Sequence, residues 1–253
     1  MEHKSPLSHL HEMIKEDLIT EGIITGRESR CGSWSNPEKF PRQPYQVKCD
    51  SYFCPVCGYE KVESIRKNVS SFTNDFQSDD GILYLLTLTI PHDQNTDLNV
   101  LYKSFSQSVM RMKNSSIWRN RFKKEIDHQF HYNRYETTIT PSNSFHLHLH
   151  ITIGGYNLID TNEWKKTLTN LWRRCCQSVG VKRLPSKSNG VDIRITSNGT
   201  YSMKLNEDTT IPNKQDSYTP EDLKKILTGY KRISGYRHID FSLKEIKKYL
   251  KKY

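Results

Sequence analysis

Phe145-His146-Leu147-His148-Leu149-His150-Ile151-Thr152-Ile153 is the stretch on which the reading of this chain turns. Histidine stands at every second position, with Leu147, Leu149 and Ile151 between. Side chains of an extended strand alternate faces, so the three imidazoles point one way and the aliphatic residues the other. A row of imidazoles on an otherwise apolar strand is costly unless it binds something, and imidazole is the commonest metal-coordinating side chain. The plainer alternative is a polar outer face in which histidine stands where Thr or Lys would serve.

Working outward, Pro141-Ser142-Asn143-Ser144 has turn chemistry, and residues 133–140 before it read as a strand, which makes an antiparallel hairpin. With the turn centred near Ser142, Glu136 lies opposite His148 and shares its face, with Thr138 and Thr140 beside it. Glu136 is then either a carboxylate partner for the histidines or a cross-strand surface residue. Residues 82–90, Ile-Leu-Tyr-Leu-Leu-Thr-Leu-Thr-Ile, form a near-continuous apolar run stopped by Pro91, expected to be a central strand buried on both faces. Thr96-Asp97 opens a helix carrying Leu98, Leu101, Phe105, Val109 and Met112 at helical spacing. Arg119, Arg121, Lys123 and Lys124 form a basic cluster that reads as a solvated face.

Gly154-Gly155 is expected to end the histidine strand. A helix over 160–176 follows, with Trp164, Leu168, Leu171 and Trp172 on its apolar stripe. Its tryptophans read as core rather than as base-stacking platforms, and Cys175 and Cys176 as packing residues. Residues 191–195 alternate as a fourth strand. Strand content near 200–205 and a short helix over 220–231 are also expected. The order β-α-β-β-α-β predicts an α+β fold: a ferredoxin-like antiparallel sheet with helices on one face.

Ahead of that sheet, residues 6–21 have the spacing of an amphipathic packing helix that Gly22 ends. Cys54-Pro55-Val56-Cys57-Gly58 is a knuckle whose two-residue spacer lets both thiolates reach one tetrahedral ion, and Gly58 permits the tight turn. Cys49 and Cys31 complete four thiolates, the donor set of a structural Zn²⁺; a nearby His could replace Cys31. The alternative is reduced, buried cysteines. A helix over 58–76 and a turn at 77–81 then bound an N-terminal helical, zinc-binding segment, 1–80, from a second domain, 81–253.

The 253 residues carry a net charge of +10 and 34% apolar residues, with a pI near 9.2. That balance favours a polyanionic partner such as nucleic acid. No apolar run of membrane-spanning length occurs, and Met1-Glu2-His3-Lys4-Ser5-Pro6 has no secretory pattern, so a cytoplasmic protein without membrane partners is expected.

Ser242 and Glu245 match a capping box, so a helix starts there. At i, i+4 spacing Glu245, Tyr249 and Tyr253 share a face, among Lys244, Lys247, Lys248, Lys251 and Lys252. Histidines and a carboxylate holding one divalent cation can polarise a phosphodiester. A tyrosine, its phenol acidified by neighbouring lysines, can attack phosphorus and leave a phosphotyrosine and a free 3′-OH.

These residues carry a resemblance. His148-Leu149-His150 resembles the His-hydrophobe-His signature of HUH endonucleases, Leu86-Thr87-Leu88-Thr89 their first motif, and Glu245 to Lys252 their tyrosine motif. With the cysteines and Arg134-Tyr135-Glu136, the stretch from about Cys31 to Tyr253 resembles rolling-circle replication initiators of small plasmids, chiefly from Gram-positive bacteria. The resemblance implies that His148 and His150 bind Mg²⁺ or Mn²⁺ with Glu136 as third ligand. It implies that Tyr249 nicks single-stranded DNA at a replication origin and keeps the 5′ end, with a host helicase as a further partner. Glu245 fits a glutamate that activates water for a terminating cleavage, or else serves only its cap. Tyr253 is a rival nucleophile. His146 departs from the family variant in which Pro stands between the first two histidines, which leaves it either at the fringe or as third ligand in place of Glu136. A transposase or mobilisation relaxase of the same chemistry, and a non-enzymatic zinc-containing nucleic-acid-binding protein, are the competing readings. The oligomeric state is not legible.

Overall fold

The structure is a computed structural model that describes residues 57–91, 96–139, 145–200 and 239–241, with residues 19–20, 26, 30–31 and 47–48. By internal contacts the chain divides into two units, Met1–Lys67 with Lys204–Ser234, and Asn68–Met203 with Gly235–Tyr253. In the first, Ile19 and Thr20 are helical, and Gly26, Arg30 and Cys31 lie in turns. The helix α1, Cys57–Ser78, begins in this unit, and its residues from Asn68 onward belong to the second.

The second unit is built on one antiparallel sheet. Its strands are β1 (Ile82–Thr89), β2 (His128–Ile139), β3 (Phe145–Gly155), β4 (Val191–Ile195) and β5 (Ile239–Phe241). They lie in the order β4-β1-β3-β2-β5. Helix α2 (Leu98–Asn114) follows β1, and α3 (Thr161–Ser178) connects β3 to β4. The fold is thus α+β, and the order β4-β1-β3-β2 is consistent with a ferredoxin-like arrangement. β5 extends the sheet beyond β2, a strand the sequence reading did not place.

Both helices start where a carboxylate can satisfy orphan amides. Asp97 accepts from the N–H groups of Asn99 and Val100 at 2.9 and 3.3 Å. Asp160 accepts from those of Asn162 and Glu163 at 2.8 and 3.2 Å. The expected apolar stripes are buried, including Phe105 and Met112 on α2 and Trp164, Leu168 and Trp172 on α3. They pack on the sheet face that carries Leu86, Leu88, Leu147, Leu149 and Ile151, all buried. Tyr135 of β2 meets Tyr102 and Phe105 of α2 at ring-centroid distances of 5.0 and 5.7 Å, and Phe105 meets Trp172 at 5.3 Å. Cys175 and Cys176 are buried in this layer as expected; burial pushes the Cys176 thiol up to about 12, so it stays protonated and acts as core.

Between α2 and β2 the residues of the basic cluster form a π-helical turn, Ile117–Phe122, and a last helical turn, Lys123–Glu125. Trp118 and Phe122 point into the core while Arg119, Arg121 and Lys124 are exposed, as a solvated basic face requires.

Among the described residues, the opposite sheet face is covered at one end only. There Phe72 and Phe76 of α1 meet Phe130 edge-on, with centroids 4.6 and 5.0 Å apart. One sequence expectation is met at this end and one changes. Gly154 and Gly155 are the last two residues of β3, as expected, and are paired with β1 and β2. A Cβ on Gly154 would run into the Phe130 ring, and one on Gly155 into the carbonyl of Ile126. β1 is buried on both faces only over residues 83–86; from Thr87 its second face opens.

A second histidine pair sits at the start of β2. His128 Nε2 and His131 Nδ1 are 3.0 Å apart. Burial, then the Lys123 charge, lowers the His128 pKa to about 4. Burial, then the Lys113 charge, lowers His131 to about 2. Both folded values lie below the ordinary 6.5, so the unfolded chain takes up protons first. The pair's contribution is complete above pH 6.5 and is lost as pH falls from there toward those values. Urea unfolding at pH 7 and pH 5 should show a loss of up to about 1.4 kcal/mol per pH unit per histidine. The fall should be shallower in a His128→Gln/His131→Gln variant; an equal fall in both proteins would contradict the assignment.

Candidate functional site

The open end of the second face is set by strand register. On β3, His148 lies opposite Glu136 of β2, as the turn position implied, and His150 lies opposite Arg134. From the other side β1 places Thr87 opposite His150 and Thr89 opposite His148. β4 places Asp192 opposite Thr87. Directly paired residues share a face, so Asp192, Thr87, His150 and Arg134 form one row across four strands. Thr89, His148 and Glu136 form the next row. The alternation that buries Leu147, Leu149 and Ile151 leaves His146, His148 and His150 half-buried on this face.

His150 is held from both sides. Its Nδ1 is 3.0 Å from Thr87 Oγ1, and its Nε2 is 2.7 Å from Glu136 Oε2. The Glu136 contact is therefore diagonal, to the histidine two residues beyond the one it faces. The His150 and Glu136 side chains are 15% and 12% exposed, enough to be reached and too little to be freely solvated. The His146 and His148 rings pack against each other at a tilt, with centroids 4.2 Å apart and planes at 51°. The His148 and His150 rings are 6.1 Å apart and nearly parallel, at 16°.

Those distances can be compared with what one ion requires. Metal–nitrogen bonds of about 2.0–2.1 Å put two imidazole centroids on a shared ion roughly 5 Å apart. The His148–His150 separation is about 1 Å wider than that. Among the described residues no three His, Cys, Asp or Glu side chains are gathered into a set that could hold an ion. The structure thus brings His150 and Glu136 together, keeps His148 one row away, and places His146 on His148.

Arg134, beside His150 on this face, is 4% exposed and so keeps a permanent positive charge in a low-dielectric position. At the rim Lys165 of α3 pairs with Asp192 at 3.1 Å; both are substantially exposed, and the pair contributes little to stability.

The remaining expected site residues fall differently. Cys57 is the first residue of α1, and Cys31 is half-buried in a turn. Cys49 and Cys54 lie outside the described residues, as do Glu245, Tyr249 and Tyr253 and the helices expected over 220–231 and from Ser242. Most of the helix expected over 6–21 and the strand content near 200–205 lie there too. Sequence reasoning did not assign Thr87 or Arg134 to the site. A signal for Thr87 was present: Thr87 and Thr89 are the polar members of a Leu-rich strand, two residues apart and therefore on one face.

No helix among the described residues is long and apolar enough to cross a membrane. Compared with known proteins, the chain matches no family model, no curated protein and no solved structure.

Proposed function

We propose that the chain is a metal-dependent single-stranded DNA nicking and joining enzyme of the HUH type, acting as a plasmid rolling-circle replication initiator. The observation that carries the reading is the His150–Glu136 contact, 2.7 Å, on the sheet face opposite α2 and α3. The carboxylate oxygen is a donor that suits Mg²⁺ or Mn²⁺, and the imidazole beside it adds a nitrogen donor of the kind transition metals accept. Thr87 behind the ring is the kind of outer partner that metal-bound histidines use. His150 and Glu136 would hold the ion, with His148 of the next row as the candidate third donor. An ion there supplies Lewis acidity toward a phosphodiester oxygen.

The rest of the reaction belongs to the chain's own side chains. Arg134 and the net charge of +10 favour a polyanionic strand over this face. The Tyr249 hydroxyl forms the new bond to phosphorus, and the 3′ oxygen departs, leaving a 5′-phosphotyrosine and a free 3′-OH. Attack by that 3′-OH, or by one from another strand, reverses the step and rejoins DNA. Glu245 activates water for a terminating cleavage or remains a helix cap. Cys31, Cys49, Cys54 and Cys57 are proposed to hold a structural Zn²⁺. In this reading the sheet is the ferredoxin-like core of an HUH nuclease, and a host helicase follows the nick.

Incubation with a random-sequence single-stranded DNA library and Mg²⁺ or Mn²⁺, followed by mass spectrometry of the protein–DNA adduct, tests the reading. The expected product is a DNA-linked peptide modified at Tyr249, absent from Tyr249→Phe. An adduct that persists in that variant moves the nucleophile to Tyr253 or elsewhere. DNA binding with no cleavage under either ion would overturn the enzyme in favour of a non-catalytic nucleic-acid-binding protein.

A further inference from the structure

We propose that His128 and His131 form a two-imidazole site for a transition-metal ion of the Zn²⁺ class. The site lies on the sheet face that carries α2. It is therefore separate from the His150–Glu136 pair and stands whether or not that pair holds an ion. Tyr135 meets α2, Lys113 of α2 donates to Asn133 Oδ1 at 2.9 Å, and His131 continues the same alternating face.

Local backbone geometry brings the two rings together. Three residues apart on a regular strand, they would point to opposite faces. β2 is not regular there: it advances from His128 to Phe130 while β3 advances only from Gly155 to Gly154. That extra residue turns His128 onto the face of His131, which is how a β-bulge re-aims a side chain. The residue before it, Asp127, has a φ of 50°, a left-handed conformation uncommon outside glycine. Departures of this kind collect at functional sites.

The pair meets the spacing that His148 and His150 miss. Metal–nitrogen bonds of about 2.0–2.1 Å set two donors on one ion about 2.9 Å apart at a right angle and about 3.4 Å apart in a tetrahedron. His128 Nε2 and His131 Nδ1 are 3.0 Å apart, and the ring centroids are 5.2 Å apart. An ion would replace the proton shared between these nitrogens, whichever ring carries it, and water would fill its other positions. His131 is 8% exposed, whereas His128 is half-buried and leaves a way in. The charges of Lys113 and Lys123 act on both rings. They weigh against Mg²⁺, which charge and oxygen donors hold, and leave ions with a strong bond to imidazole nitrogen.

The test is a Zn²⁺ titration of the full chain labelled with ¹⁵N and ¹³C, read by side-chain NMR of the histidines assigned through their backbone. Reading these two rings excludes Zn²⁺ held elsewhere in the chain. Both should respond together and saturate with one ion, and Mg²⁺ should move neither. His128→Gln should weaken the His131 response by more than the roughly 10–100-fold that loss of an outer partner costs. Lys123→Gln should tighten binding about 3–10-fold, because a repelling charge is gone. His150→Gln should leave the response unchanged. A response from one ring alone or from neither, or an equal response to Mg²⁺, would overturn the proposal. So would equal Zn²⁺ affinity at His131 in wild type and His128→Gln. If His128→Gln does not fold, the wild-type titration and Lys123→Gln decide, since weaker binding in Lys123→Gln would also overturn the site.

Discussion

His150→Ala and Glu136→Gln are each expected to lower the rate of single-stranded DNA nicking by roughly 10³-fold while leaving the fold intact. Loss of a ligand that holds a Lewis-acidic ion removes several kcal/mol of transition-state stabilisation. At about 1.4 kcal/mol per tenfold, a loss of about 4 kcal/mol gives that factor. Glu136→Gln preserves shape and removes only the charge. The two side chains are only 15% and 12% exposed, so removing one leaves the other unpaired at a cost of about 1–3 kcal/mol. Circular dichroism should therefore stay near wild type and the urea midpoint fall modestly while nicking disappears. The three histidines should also separate. His150, held by Thr87 and Glu136, should matter most, and His146, packed against His148, least. Nicking measured in single-Ala variants of all three orders them; equal losses at His146 and His150 would contradict the asymmetric site.

Trp172→Ala is expected to have the largest effect on stability. The indole is fully buried, packs on Phe105 with centroids 5.3 Å apart, and donates to the carbonyl of Thr89 at 2.8 Å. Removing a buried tryptophan costs about 3–5 kcal/mol from lost burial and the cavity left behind. The Thr89 carbonyl loses a donor in the same change. Total stabilities of about 5–15 kcal/mol leave little margin for such a loss. For a domain of this size a melting temperature lower by roughly 8–16 °C is expected. Trp172→Phe keeps most of the packing and should recover much of it. Thr89 closes β1 beside the histidine row, so the same substitution should loosen the open end of the site. Differential scanning calorimetry of both variants checks the order; a Trp172→Ala loss below 1 kcal/mol would show that this side chain does not close the helical layer.

How far these features were legible depended on the range of the interaction that sets them. The helices over 98–114 and 161–178 were readable because capping by Asp97 and Asp160 and the 3.6-residue apolar spacing are local. The histidine strand was readable because alternation is a property of consecutive residues. The end of β3 at Gly154 and Gly155 was readable too, but not why glycine is needed there, since glycine looks the same at a free strand end and beneath an aromatic ring. Only the approach of Phe130 and of the Ile126 carbonyl distinguishes the two. The half-exposure of Thr87 was equally hidden. A Leu-rich strand reads as buried on both faces until the end that α1 reaches is known.

By itself the sequence determined the α+β alternation of elements, the face on which the imidazoles stand, and Glu136 as their opposite number across a hairpin. Each of those follows from periodicity or from a turn a few residues long. Only the tertiary structure decided that Glu136 contacts His150 rather than the His148 it faces, that Thr87 comes from a strand more than fifty residues away to hold the same ring, and that Arg134 is buried beside it. Pairing between distant strands fixes rows across a sheet, and no pattern along one strand contains the register of the next.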